Sequence, residues 1–151
     1  MKRILTLFLL LMVGAVLVAG CTSSNQDEEL RSTMYESGQA MSVVLENAGC
    51  DASNLDYAGI IQSGRALKTE SNIWYDKISA INDISPEWQS VKSNYLKALR
   101  YFGDAGEELS QSGQAFQRGD FTASLAYIND ASADLDSGSR YMDEAVGAIP
   151  K

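Results

Sequence analysis

The sequence predicts an all-α fold, an antiparallel up-down-up-down four-helix bundle. Three observations predict it. From Glu28 onward, apolar residues recur with a helical, heptad-like spacing, and strand-like alternation is absent. Pro86 and Pro150, the two prolines, fall at the edges of the periodic segments, where a missing amide does least harm. When the segments are folded at their hairpins, large side chains meet large ones and small ones meet small, in a register on which the hairpins agree.

The first helix is expected over 28–48, with Leu30, Ser37 and Val44 alternating with Met34, Met41 and Ala48. Gly49 is free to take the left-handed conformation that closes a helix. The second is expected over 55–81, capped by Ser53 or Asn54. Its rows are Ile60, Leu67, Trp74, Ile81 and Tyr57, Gly64, Ser71, Ile78. The third opens at Ser85-Pro86-Glu87 and runs to 117. There Ser accepts from a free amide, Pro suits the first helical position and Glu meets the positive helix end. Its rows are Trp88, Tyr95, Phe102, Leu109, Phe116 and Val91, Ala98, Ala105, Ser112. Gly119 stops it, and Asp120 caps a fourth helix running to 148. That helix carries Phe121, Ile128, Leu135, Met142, Ile149 and Leu125, Ser132, Ser139, Val146.

Short connections make consecutive helices antiparallel neighbours. Trp88 then lies opposite Ile149, Tyr95 opposite Met142, Phe102 opposite Leu135, and Ile60 opposite Leu109. Two levels come out thin: Gly64, Ala105 and Ser132 at one, Ser71, Ala98 and Ser139 at the other. Met34 and Met41 are placed to fill them. Gly38, Gly64, Gly103, Gly106, Gly113 and Gly138 fall inside the predicted helices. Each costs ~1 kcal/mol at an exposed helical site. Their presence implies close backbone approach or local flexibility, and the sequence leaves both open.

The 151 residues suffice for one domain. They include 12 basic and 20 acidic side chains and no histidine. Without residues 1–20, which hold Lys2 and Arg3, 10 basic side chains face 20 acidic ones, a net charge of −10. Such a surface repels nucleic acid. The lack of histidine removes the usual general base and the commonest metal ligand together.

Met1-Lys2-Arg3 is a short basic segment, and Ile4 to Val18 is nearly all apolar. This pattern reads as a cleaved signal peptide. Its end, Val18-Ala19-Gly20-Cys21, resembles a lipobox, the processing signal of prokaryotic lipoproteins. The resemblance covers residues 1–21 and implies lipidation of Cys21 with cleavage before it. Residues 1–20 are then a signal, 21–27 a lipidated tether, and 28–151 the bundle. The polar stretch 22–27 reaches at most ~20 Å, which holds the domain near the extracytoplasmic face of the membrane. Cys50 is left alone, and is read as a small half-buried residue at a helix end.

No catalytic or metal signature is found. The predicted core rows hold no carboxylate and no histidine, which excludes a di-iron bundle of the Glu-x-x-His type. No base accompanies the core serines, so no enzyme, cofactor or metal is expected. Two readings remain. The first is a non-enzymatic interaction or scaffold module binding another envelope protein through the off-stripe tyrosines Tyr75, Tyr101, Tyr127 and Tyr141. The alternative is a small-ligand sensor with an interior pocket lined by Ser71, Trp74, Tyr95, Ser132, Ser139 and Met142. A sensor should leave a void at the thin levels. A scaffold should fill them and expose a contiguous apolar patch instead.

Overall fold

The computed structural model describes residues 25–150. The fold is the all-α, antiparallel four-helix bundle: α1 is Asn25–Ser53, α2 Tyr57–Ser79, α3 Gln89–Gln117 and α4 Phe121–Gly147. One 3₁₀ turn, Pro86–Trp88, leads into α3. Cys21 and the apolar segment before it lie outside the described residues. None of the described helices is long and apolar enough to cross a membrane.

Helix boundaries follow local chemistry. Asp120 caps α4, its carboxylate accepting from the Ala123 amide at 3.0 Å, and Gly119 supplies the positive φ of 78° that reverses the chain. The α1–α2 turn differs from expectation. Gly49 stays helical and α1 continues to Ser53. Asp56 caps α2 in place of Ser53 or Asn54, accepting from the Gly59 amide at 3.0 Å. The left-handed residue is Leu55, with φ 54°. At the other end α1 begins at Asn25, and Asp27 is buried. The Asp27 carboxylate accepts from the Ser85 amide at 2.8 Å, and the Gln26 side-chain oxygen accepts from the Asp83 amide at 2.7 Å. These contacts latch the start of α1 onto the α2–α3 connection. They engage Gln26 and Asp27, the last residues assigned to the tether.

The helix α3 is the central element, closely packed on α2 at one side and α4 on the other. Against α2 it presents Leu99, Gly103, Gly106, Ser110 and Gly113, all buried. The backbones meet where Gly64 faces Gly106. A Cβ on Gly106 would stand 2.6 Å from the Gly64 carbonyl oxygen and 2.6 Å from the Lys68 nitrogen. Close approach explains Gly64, Gly106 and Gly113, where an added Cβ would meet atoms of the neighbouring helix. The core concentrates toward the Trp88 end, where Leu30, Met34, Ile81, Ile84, Trp88, Val91 and Tyr95 are buried together. Tyr95 Oη donates to the Met34 carbonyl at 2.8 Å, tying α3 to α1. Burial pushes the Tyr95 phenol up to about 12, against a smaller opposing effect of Ser37.

Candidate functional site

The α4 helix departs from its predicted register. Its buried row is Ser124, Ala131, Gly138 and Ala145, the smallest residues available at heptad spacing. They let α4 lie close on α3: a Cβ on Gly138 would stand 2.7 Å from the Phe102 ring, and Ser112 Oγ bonds to the Ser124 carbonyl at 3.1 Å. Close backbone approach brings many atoms of the two helices to van der Waals distance. The consequence falls on the two rows expected to be core. None of Phe121, Leu125, Ile128, Ser132, Leu135, Ser139, Met142 and Val146 is buried. Phe121 is 61% exposed, Leu125 60% and Ile128 43%. These three recur at i, i+4 and i+7 and so share one helix face. The sequence of α4 carries no charge from Phe121 to Asn129.

This apolar face is anchored from beneath. Phe121 meets the Phe116 ring edge-on at 4.9 Å, and Phe116 stacks on Tyr57 at 3.4 Å with their planes 9° apart. Three helices thus contribute to one aromatic ladder at the end of the bundle away from Trp88. No close approach of α1 to α4 matches those of α3 to its neighbours, which leaves the α4 face uncovered.

The four tyrosines expected on an interaction face are all half-buried. Tyr101 and Tyr141 do come together, stacked at 5.6 Å and half-buried between α3 and α4. The Lys97 ammonium lies 5.1 Å and the Arg140 guanidinium 4.7 Å from the Tyr141 ring centre. Tyr75 and Tyr127 are half-buried, and Tyr75 packs against the core. What the tyrosine reading missed is the aliphatic and phenylalanine stripe, which heptad spacing assigned to the interior.

Of the predicted pocket residues, Trp74, Tyr95 and Met142 belong to or pack on one core, while Ser132 lies outside it. Ser71 is buried, its hydroxyl 3.7 Å from the Met41 sulfur, so Met41 fills that level as its volume requires. Trp74 and Tyr95 are buried, and the Lys77 ammonium lies 4.0 Å from the Trp74 ring centre. Met142 packs half-buried at the core edge, Ser139 is half-buried and Ser132 is exposed. The rotation of α4 carries Ser132 out of the interior. At the other thin level Gly64 is closed by the α3 backbone, and Ala105 is fully buried. Cys50 is free and exposed, rather than half-buried.

Carboxylates gather on the opposite side of α4. Glu108 is pushed up to about 7 by desolvation and then by Asp134, Asp130 and Asp104. Asp134 is raised by the same two causes, desolvation first. Glu107, beside them in sequence, is held below the usual carboxylate range by its bond to Lys68. Among the described residues no group of three His, Cys, Asp or Glu side chains is placed to hold a metal ion. Compared with protein-family models, curated proteins and solved structures, the chain matches none.

Proposed function

We propose that this protein is a non-enzymatic interaction module, held at the extracytoplasmic face of a membrane by lipid on Cys21. The observation that carries the reading is the exposed Phe121–Leu125–Ile128 face over its aromatic ladder. Water-exposed apolar side chains of this size on one face mark interaction surfaces. Phenylalanine held in place by Phe116 is an ordered anchor, which lowers the entropy lost on binding. The absence of charge over the first turns of α4 matches the charge depletion of interface centres. Packing at both thin levels favours this module over an interior ligand site.

The test is a photoreactive amino acid placed singly at Leu125, at Ile128, and at exposed Gln62 on α2 as control, in the full chain in its native membrane. The module predicts a discrete crosslinked product from positions 125 and 128 and none from 62. Equal products from all three positions, or none from any, would contradict it.

A further inference from the structure

We infer that the α4 face pairs with α4 of a second copy of this chain, antiparallel, about a two-fold axis between Ser132 and Leu135. The inference rests on the reading of α4 as an interaction face and names its occupant. Phe121, Leu125, Ile128, Ser132, Leu135, Ser139, Met142 and Val146 alternate by four and three residues along the whole helix; Phe121, Leu125, Ile128, Ser132 and Val146 are exposed, while Leu135, Ser139 and Met142 are half-buried, Leu135 and Met142 packing in part against the core. That is the spacing of a coiled-coil seam, so the occupant it fits is another helix.

The seam complements itself only in the antiparallel sense. Turned end for end about its centre, it sets Ile128 against Ser139 of the second copy, and Leu135 against Ser132. Leu125 then meets Met142, and Phe121 meets Val146. Each bulky residue at the middle meets a serine. A parallel pair would instead stack Ser132 on Ser132 and Ser139 on Ser139, leaving two thin layers.

Charge agrees. The exposed row beside the seam is Thr122, Asn129, Asp136 and Asp143. Antiparallel pairing puts Asp136 opposite Asn129 and Asp143 opposite Thr122, with no like charges face to face. A parallel pair would oppose Asp136 to itself and Asp143 to itself, which is unfavourable. The three most exposed side chains alone fall short of the ~800 Å² per partner of a stable interface. The full seam, 26 residues and ~39 Å long, is therefore the unit that pairs. The two α1 starts then sit at opposite ends of the pair, so two lipid anchors in one membrane make it lie along the surface.

The experiment is sedimentation of the full chain in a mild detergent, at low and high salt. The expected result is a reversible dimer that tightens with salt, because two strongly acidic copies repel until screened. Leu125→Asp should weaken it at least tenfold while leaving the helical circular dichroism unchanged. Asn129→Lys should tighten it by about two- to tenfold, through two new pairs with Asp136. The control Gln39→Lys on α1 changes net charge equally and should act less. A monomer at every concentration, a dimer indifferent to Leu125→Asp, or equal effects of the two lysines would each overturn the inference. A monomer here, together with a specific crosslink from position 125 to another protein in the membrane, would overturn the self-pairing and leave the interaction module standing.

Discussion

Leu55 and Gly106 show how single positions hold the bundle, in opposite ways. Leu55 adopts φ 54° while 68% exposed, so it carries a backbone cost without much burial in return. Left-handed backbone costs an ordinary residue ~1–2 kcal/mol. Asparagine tolerates that region, so Leu55→Asn is expected to raise stability by up to ~1 kcal/mol in urea melts. A lower midpoint would mean that the Leu55 side chain supports the turn. Gly106 is the converse. Glycine to alanine inside a helix ordinarily gains ~1 kcal/mol, but here the new methyl meets the Gly64 carbonyl and the Lys68 amide. Gly106→Ala is expected to lose ~1–3 kcal/mol, and a gain would show that α2 and α3 are not in backbone contact. Glu108 makes stability depend on pH. Its carboxyl titrates near 7 when folded, above the 4.5 of the free group. The folded state therefore binds more protons between those values. Its contribution is fully present below pH 4.5 and is lost as pH rises to about 7. Asp134, raised as well, adds in the same direction. Glu107 opposes it, but at lower pH, because its carboxyl lies below the usual range. Glu108→Gln is expected to flatten the fall in melting temperature between pH 5 and 7. An unchanged pH profile would show that Glu108 is solvated.

At the scale of elements, the sequence disclosed helices more faithfully than faces. The two rows predicted for α2 and the two for α3 are largely the rows the structure buries, the large residues Ile60, Leu67, Trp74, Tyr95 and Phe102 together with the small Gly64, Ser71, Ala98, Ala105 and Ser112. Periodicity works there because the row of large residues already faces the core and the small row flanks it. On α4 they do not. Its large residues sit on rows with flawless heptad spacing, yet the buried row is Ser124, Ala131, Gly138 and Ala145. Hydrophobic pattern reports which rows are apolar; it does not report how close a neighbouring backbone can come. The signal was present in the glycines, since Gly138 and the α3 run from Gly103 to Gly113 mark contact faces. It competed with a stronger apolar signal and lost. Likewise the apolar rows of α4 read as core in the sequence, and the structure exposes Phe121, Leu125 and Ile128. Asp27 shows another limit: nothing local distinguishes it from Glu28 and Glu29, and only the fold brings it to the Ser85 amide. Asp27→Ala is expected to fray the start of α1 and to cost ~1–3 kcal/mol. Faster amide hydrogen exchange over 25–34 would register the fraying, and unchanged exchange would contradict the latch.

For the whole molecule, the bundle has one latched end and one open side. The Trp88 end is packed and latched to α1, directly after the expected lipid site. The uncovered face lies along α4, and it is most exposed near Phe121, toward the other end. If Cys21 carries the lipid, Cys21→Ala should release the chain from the membrane fraction or stall its processing. Unchanged fractionation and mass would contradict the anchor. The central claim is that the α4 face is covered when the protein is in place and bare when it is alone. Thiol labelling tests this most directly: cysteine introduced singly at Leu125, Ile128 and the control Gln62, in a Cys50→Ser background, probed in native membranes and again after extraction and dilution. The account predicts that positions 125 and 128 label slowly in the membrane and at least tenfold faster after dilution, while 62 labels fast in both. Equal and fast labelling of all three in the membrane would contradict it, because nothing would then occupy the face.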